Sequence, residues 1–552
     1  MILLDLQRNP DWWKRTICYE IYPGSFQDSN GDGYGDLKGI ERRLDYLESL
    51  HVGCIWLTPV YASPMKDNGY DVEDFCRINP RFGTMSDMDS LIARAAERGI
   101  RIVMDLVFNH VSENHAWFLE SRTSKTNPKS DWFIWRDARP DGSPPTNWRG
   151  IFGGSAWTWC EERGQYYLHT FGDFQPDLNW ENPKVREALY AVANFWVQKG
   201  VGGFRIDAVP YIKKPSRFAD GIPDAADGMV CVHSMTAFSA GILDYLREFK
   251  REVVDGNSLF TVAEANGISP GQLKHWVGAD GVFDMLFEFD HLQGGDIWFC
   301  APKRSILEVK RAIFRSEMLT SKSWYPVFFE NHDKPRSVNA YFSERADTEK
   351  AGKALITLLL TLRGTPFVYQ GEELAMKNAK WNAIGDFREL NSRSQYELAL
   401  AEGFSPADSL KFVQKFSRDN ARTPMLWDSS ENAGFTDAVP WIPLGEKNAK
   451  ENVLQESERS DSPLTWFRKL AAFRQQNAAL LDGHFTPILA DDERIFGFRR
   501  ELGARTVTVL VNLSEERAPF DGELVKNQKL LFSSSAGNTD PVLEPLEARI
   551  WE

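Results

Sequence analysis

A (β/α)8 TIM barrel is the fold class this 552-residue sequence predicts, on three observations. Short β-like runs alternate with longer amphipathic ones. Several of the longer runs carry helix start signals. Three apolar runs stop on an acid, as strands do when they deliver side chains to the mouth of a barrel. The chain is also too long for one ordinary core.

Taken in order, strands are expected at Cys18–Tyr22, Cys54–Leu57, Arg101–Leu106, Gly203–Ile206, Leu259–Ala263, Val282–Phe287, Tyr325–Phe329 and Pro366–Tyr369. Helices are expected between them, among others at Leu37–Leu50, Ser86–Arg98, Pro183–Gln198, Ile306–Met318 and Glu349–Leu362. Ser86-x-x-Asp89 resembles a capping box, and Asn182-Pro183 places an N-cap before an N1 proline. Two stretches break the alternation. Val111 to Glu181, rich in Trp, Gly, Asp and Pro, is too long for a loop and reads as a small inserted domain after strand 3. Gly371 to Leu454 reads as irregular. After Leu481 short alternating runs such as Arg494–Arg499 and Thr506–Leu513 predict an antiparallel β-sandwich. The expected domains are therefore a barrel over 1–110 and 182–480, an inserted domain over 111–181 and an all-β domain over 481–552.

The bulk composition narrows the partners. A formal net charge of −14 argues against nucleic acid or an anionic membrane. Apolar residues at 42% and charged residues at 26% suit an ordinary soluble protein, and 13% aromatics would suit stacking on sugar rings. Cys18, Cys54, Cys76, Cys160, Cys231 and Cys300 are far apart and form no C-x-x-C pair, so neither a zinc site nor a disulfide framework follows. Met1 to Arg15 shows no basic region followed by an apolar core, and the run Ala354 to Leu362 is too short to span a bilayer. A cytoplasmic protein with reduced thiols, acting as a monomer, is the expectation.

The chemistry centres on Gly202-Gly203-Phe204-Arg205-Ile206-Asp207-Ala208. Alternation puts Phe204 and Ile206 on one face, Arg205 and Asp207 on the other. The guanidinium would keep Asp207 ionised, as a covalent nucleophile on a sugar carbon requires. Taken alone, this heptad reads first as a structural salt bridge at a strand end. Two further strand ends change the balance: Glu264 closing Thr261-Val262-Ala263, and the acids of Phe328-Phe329-Glu330-Asn331-His332-Asp333. His110 follows the third strand and Asp67, in Lys66-Asp67-Asn68-Gly69-Tyr70, follows the second. The set suits glycoside cleavage, with Asp207 attacking the anomeric carbon and Glu264, behind an apolar run, kept protonated to serve the leaving oxygen. Carboxyl groups about 5–5.5 Å apart would mean retention, and about 6.5–9.5 Å inversion.

A second candidate is the loop Asp28-Ser29-Asn30-Gly31-Asp32-Gly33-Tyr34-Gly35-Asp36. Oxygen donors at alternate positions with glycine at position six copy the start of an EF-hand loop, but position twelve is Gly39 and the loop follows a strand. A structural calcium site of another kind is expected; an Asp/Gly turn without metal is the alternative.

On these residues the sequence resembles the α-amylase superfamily, glycoside hydrolase family 13, and within it the oligo-1,6-glucosidase, α-glucosidase and sucrose isomerase group. The matching segments are Asp105–His110, Gly203–Val209, Thr261–Glu264, Glu330–Asp333, Gln175-Pro176-Asp177-Leu178-Asn179 and Ser417–Pro424, within a resemblance that runs from Trp12 to about Val453. The resemblance implies a retaining mechanism with Asp207 as nucleophile, Glu264 as acid/base and Asp333 as third acid. It implies that Asp67, Tyr70, His110, Arg205, His332 and Arg418 grip one non-reducing glucose. It also implies calcium held by Asp28, Asn30, Asp32 and Asp36 side chains and the Tyr34 carbonyl. The implied activity is exo-acting hydrolysis of short α-glucosides such as isomaltose, maltose, sucrose or its isomers. The alternative is an isomerase or transglucosidase of sucrose isomerase or trehalose synthase type. Ala208 stands where oligo-1,6-glucosidases usually carry Val, Asn266 where a related dextran glucosidase has an aromatic, and Asn391 where many relatives have Glu. Asp207–Tyr211 also resembles trehalose synthase, and Phe289–Cys300 shows no counterpart of the arginine-rich loop of sucrose isomerases.

Overall fold

The computed structural model describes residues 11–225, 227–278, 280–292, 294–295, 297–321, 323–445, 451–535 and 539–552. Of the Met1–Arg15 stretch read above for a leader, residues 1–10 lie outside the described residues. Eight strands occur where apolar runs predicted them: β1 (Cys18–Ile21), β2 (Cys54–Leu57), β3 (Arg101–Leu106), β4 (Gly203–Ile206), β5 (Phe260–Glu264), β6 (Met285–Phe287), β7 (Pro326–Val327) and β8 (Thr365–Tyr369). They make an eight-stranded parallel sheet and are distributed over two units.

One unit comprises Trp56–Ala93 and Arg101–Glu288. Its parallel strands run in the order β6-β5-β4-β3. Register places Arg205 opposite Asp105, so the strand that carries the arginine meets an acid on its neighbour. On its other side Gly203 lets β5 come close, because a Cβ there would lie 2.1 Å from the carbonyl oxygen of Phe260. The helix Pro183–Lys199 begins as expected, with the Asn182 side chain accepting from the Lys184 amide and Pro183 in the first turn. Within 111–181 a three-stranded antiparallel sheet pairs Trp135–Arg136 and Trp157–Cys160 with the central strand Gln165–Leu168. Its core of Ile134, Trp148, Trp157 and Leu168 also takes in Val230 and Val232, because Val230–Cys231 pairs with Trp148–Arg149.

The other unit comprises Met1–Ile55, Arg94–Ile100 and Phe289–Glu552. Here β8 lies between β1 and β7. A five-stranded antiparallel sheet starts at His484, and the short ribbon of Ala518–Pro519 with Val542–Leu543 closes over Ile495, Leu510 and Trp551 as a second layer.

Four details differ from the sequence reading. The helix expected over Leu37–Leu50 is two, Leu37–Arg42 and Leu44–Ser49, parted at Arg43, whose guanidinium lies 3.9 Å over the Trp427 ring. The capping box expected at Ser86 is Thr84 with Asp87: the Thr84 amide donates to the Asp87 carboxylate and the Asp87 amide to the Thr84 hydroxyl. The strand expected over Tyr325–Phe329 pairs only at Pro326–Val327. The stretch Gly371 to Leu454 contains helices Leu390–Ala401 and Pro406–Phe416. The first of these spreads its apolar residues round the helix, which hides the 3.6-residue period. Among the described residues no helix is long and apolar enough to cross a membrane.

Candidate active site

The end of β4 builds the first cluster. Arg205 is 3% exposed, and its Nη1 donates to Asp105 Oδ1 at 2.8 Å, Asp105 Oδ2 at 2.9 Å and Asp207 Oδ1 at 2.7 Å. Its Nη2 donates to Glu264. One guanidinium therefore holds the carboxylates from the ends of β3, β4 and β5. Burial alone would pull this arginine's pKa down; Asp105, Tyr70 and Asp207 outweigh it and hold the group well above its ordinary value. The ring of Trp56 lies 5.2 Å beneath it. Tyr70 donates its hydroxyl to Asp105 Oδ2 at 2.9 Å and Trp56 Nε1 donates at 3.3 Å. After Asp207 the backbone turns sharply: Ala208 is left-handed at φ +47°, and Val209–Tyr211 is a single 3-10 turn with proline second.

The loop after β2 supplies the next pair. Asp71 is buried and accepts from the Lys66 amide at 2.9 Å, the Asp67 amide at 3.2 Å and the Ser63 hydroxyl at 2.9 Å. These bonds curl Lys66–Tyr70 into a knot with left-handed Met65, Asn68 and Gly69. A Cβ on Gly69 would meet the Pro59 carbonyl at 2.7 Å. The knot presents Asp67 and Tyr70. Gln175, more than a hundred residues on, donates to Asp67 Oδ2 at 2.8 Å. His110 Nε2–H donates to the Tyr70 carbonyl at 3.0 Å, and its Nδ1 accepts from Asn109 at 3.1 Å. Burial drives the His110 pKa below its ordinary value despite Asp207 and Asp177, so the ring is neutral. The Phe171 ring lies 5.1 Å from the imidazole.

The second cluster surrounds Asp333 in the other unit. Its Oδ1 lies 3.0 Å from Arg422 Nη2, 3.3 Å from Arg418 Nη1 and 3.5 Å from His332 Nε2. His332 donates through Nδ1 to Glu20 Oε1 at 2.5 Å, which sets the ring's direction from β1. Glu330, the other acid of that strand end, is tied inward: it accepts from Arg336 at 3.1 Å and from the Ser337 amide and hydroxyl at 2.7 and 2.6 Å.

Of the residues singled out in the sequence, the first cluster brings together Asp67, Tyr70, His110, Arg205, Asp207 and Glu264, and the second brings together His332, Asp333 and Arg418. Sequence reading passed over Asp105, Gln175, Glu20 and Arg422 as site residues, although three of them lay inside quoted motifs. Asp105 had a signal, an acid inside an otherwise apolar strand.

A family profile described as the alpha amylase catalytic domain matches residues 20–483. This chain belongs to the α-amylase family. An oligo-1,6-glucosidase from Parageobacillus thermoglucosidasius is 39% identical over 551 residues, covering 98% of each chain. A trehalose-6-phosphate hydrolase from Escherichia coli K12 is 39% identical over 556 residues, covering 98% of this chain and 99% of the other. The crystal structure of a trehalulose synthase from Pseudomonas mesoacidophila MX-45 superposes with a TM-score of 0.92 at 36% identity, over 98% of this chain and 99% of that one. The (β/α)8 barrel read from the alternation of strands and helices is thus the fold of this α-amylase family member, and the chain is a glycoside hydrolase.

The Asp28–Asp36 loop is shaped by its own amides. Asp28 Oδ1 accepts from Asn30 and Gly31 at 2.9 and 2.8 Å, and Oδ2 from Gly33 and the Thr436 hydroxyl at 2.9 and 2.6 Å. Burial pushes the Asp28 carboxyl up, but these donors outweigh it and hold it below its ordinary value. Asn30 Oδ1 and Asp32 Oδ1 each accept one amide, and Asp36 caps the next helix. Among the described residues no three His, Cys, Asp or Glu side chains gather as a metal-holding group. By kind the donors are those of a hard cation, all oxygen.

Proposed function

We propose that the protein is a retaining, exo-acting α-glucosidase that removes the non-reducing glucose from short α-glucosides. The observation that carries this is the Arg205 guanidinium with Asp207 on one nitrogen and Glu264 on the other. Two carboxylates on one planar cation are close enough to flank a single bond. In this reading Asp207 attacks the anomeric carbon and forms a glucosyl ester, while Glu264 gives its proton to the departing oxygen. Glu264 then takes a proton from water, whose oxygen attacks the same carbon and frees Asp207. To act as an acid, Glu264 must let go of Arg205 as the leaving group arrives, because the guanidinium favours the carboxylate. Asp333 holds ring hydroxyls, and Asp67, Tyr70, His110, Arg205, His332 and Arg418 grip the glucose. Gln175 on Asp67 supports a pocket closed behind one sugar.

The same reading assigns a structural calcium ion to the side chains of Asp28, Asn30, Asp32 and Asp36 with the Tyr34 carbonyl, on the strength of the oxygen donors. It also takes the protein to be cytoplasmic and monomeric. Calcium should raise the melting temperature of EDTA-treated protein; an unchanged melt removes the ion from the proposal.

Incubation with isomaltose, maltose, sucrose, isomaltulose, trehalose and trehalose 6-phosphate, with products resolved by chromatography and NMR, tests the activity. Free glucose, first seen as the α-anomer, is expected. A rearranged disaccharide would make it an isomerase, and initial β-glucose would refute retention.

A further inference from the structure

Two arginines of one short segment reach the same oxygen of Asp333, and they differ in what else they can reach. Arg418 opens the 3-10 turn Arg418–Asn420, and its side chain is 21% exposed. Arg422 follows four residues later and its side chain is 1% exposed. Its Nε donates to the His332 carbonyl at 3.2 Å and its Nη2 to Asp333 Oδ1 at 3.0 Å, so one guanidinium spans the backbone and the carboxylate of consecutive residues. The Tyr22 ring lies 5.5 Å from its centre. The segment itself is pinned. Asp419 is fully buried and accepts from the Arg388 amide at 2.6 Å and the Glu389 amide at 3.1 Å, and the Ala421 carbonyl accepts from the Tyr369 hydroxyl at 2.8 Å.

We propose that Arg422 is a positioning residue of the reaction: by bridging the His332 carbonyl and Asp333 Oδ1 it fixes the side-chain rotamer with which Asp333 meets the substrate hydroxyls. The inference rests on the role given to Asp333 above. A side chain this buried contributes to turnover only through the carboxylate it holds. A lysine in its place can supply the charge but not the two-point span, because an ammonium is a point donor on a flexible stem. Arg418, partly exposed, is left to touch the sugar itself.

The test compares p-nitrophenyl α-glucoside with its 2-deoxy analogue in wild type, Arg422→Lys, Arg422→Gln and Asp333→Asn, with melting temperatures recorded for each. In Arg422→Lys kcat should fall by roughly 100-fold with KM changed by less than about threefold. The parent-to-deoxy ratio of kcat/KM should drop at least about tenfold, toward the value for Asp333→Asn. Added guanidinium ion should restore part of kcat to Arg422→Gln and none to Asp333→Asn. A wild-type ratio in both Arg422 variants, with Asp333→Asn having lost it, overturns the positioning role alone. A wild-type ratio in Asp333→Asn shows that Asp333 does not hold the 2-hydroxyl, and then the reading of the site and this inference fall together.

Discussion

The two polar clusters are charge-mirrored. At the end of β4 one cation, Arg205, is shared by three acids, Asp105, Asp207 and Glu264. Around Asp333 one acid is shared by two cations, Arg418 and Arg422, with His332 alongside. The difference matches the work proposed for each. A carboxylate that must attack carbon or pass a proton has to be released from its partner during the cycle, so it competes for a single guanidinium. A carboxylate that only grips hydroxyls gains from being held on every side. Each cluster lies at a strand end, but the ratio of acid to base decides which one can change its charge.

The largest expected effect breaks the first cluster at its reacting atom. Asp207→Asn should lower kcat by about ten-thousandfold with the melting temperature nearly unchanged; retention of more than about a thousandth of wild-type turnover would remove it as nucleophile. Next comes the asymmetry itself. Arg205→Gln strands two buried acids, Asp105 and Asp207, so a stability loss of about 3–5 kcal/mol is expected in denaturant titrations. Arg418→Gln leaves Asp333 on Arg422, and should cost under about 1 kcal/mol while raising KM. Equal losses in the two variants would show that the charge ratio is irrelevant.

Two smaller predictions extend the comparison to pH, one titrating group in each unit. Glu456 is fully buried, accepts from the Leu464 amide at 2.9 Å, and is pushed up to about 9 by burial and by Glu349. Its folded pKa is raised above the unfolded 4.5, so its stabilising contribution is complete below pH 4.5 and lost as pH rises to about 9. Glu456→Gln should therefore be level with wild type near pH 4.5 and more stable by on the order of 3 kcal/mol at pH 7 to 8. His115 caps the helix Ala116–Ser121 by accepting from the Trp117 amide at 3.1 Å, and burial and Lys129 lower it to about 4. Its folded pKa lies below the unfolded 6.5, so stability is present above pH 6.5 and lost as pH falls toward 4. His115→Asn, which keeps the cap, should flatten that acid limb by about 2 kcal/mol at pH 4. Melts across pH 4 to 9 check both.

Much of this was legible in the chain. The heptad around Arg205 and Asp207 predicted their pairing, and the observed 2.7 Å contact follows from strand alternation alone. What alternation cannot reveal is the neighbour across the sheet. Asp105 is 100 residues from Arg205, yet it takes two of the guanidinium's bonds. Nor could position tell Glu330 from Asp333, acids three residues apart, one turned onto Arg336 and Ser337 and the other onto the arginines of a distant segment. Nor does strand position set the surroundings of Glu264. An apolar run before it suggested a dry pocket, but its side chain is 28% exposed and lies on Arg205.

By itself the sequence determined the strand and helix periods, the residues at strand ends and the family, because backbone geometry and local chemistry are set by neighbours along the chain. Only the tertiary structure decided which acids share which cations, because ion pairing in a buried site depends on register and on segments brought together from far apart, and the energy of each charge is set by whatever arrives beside it.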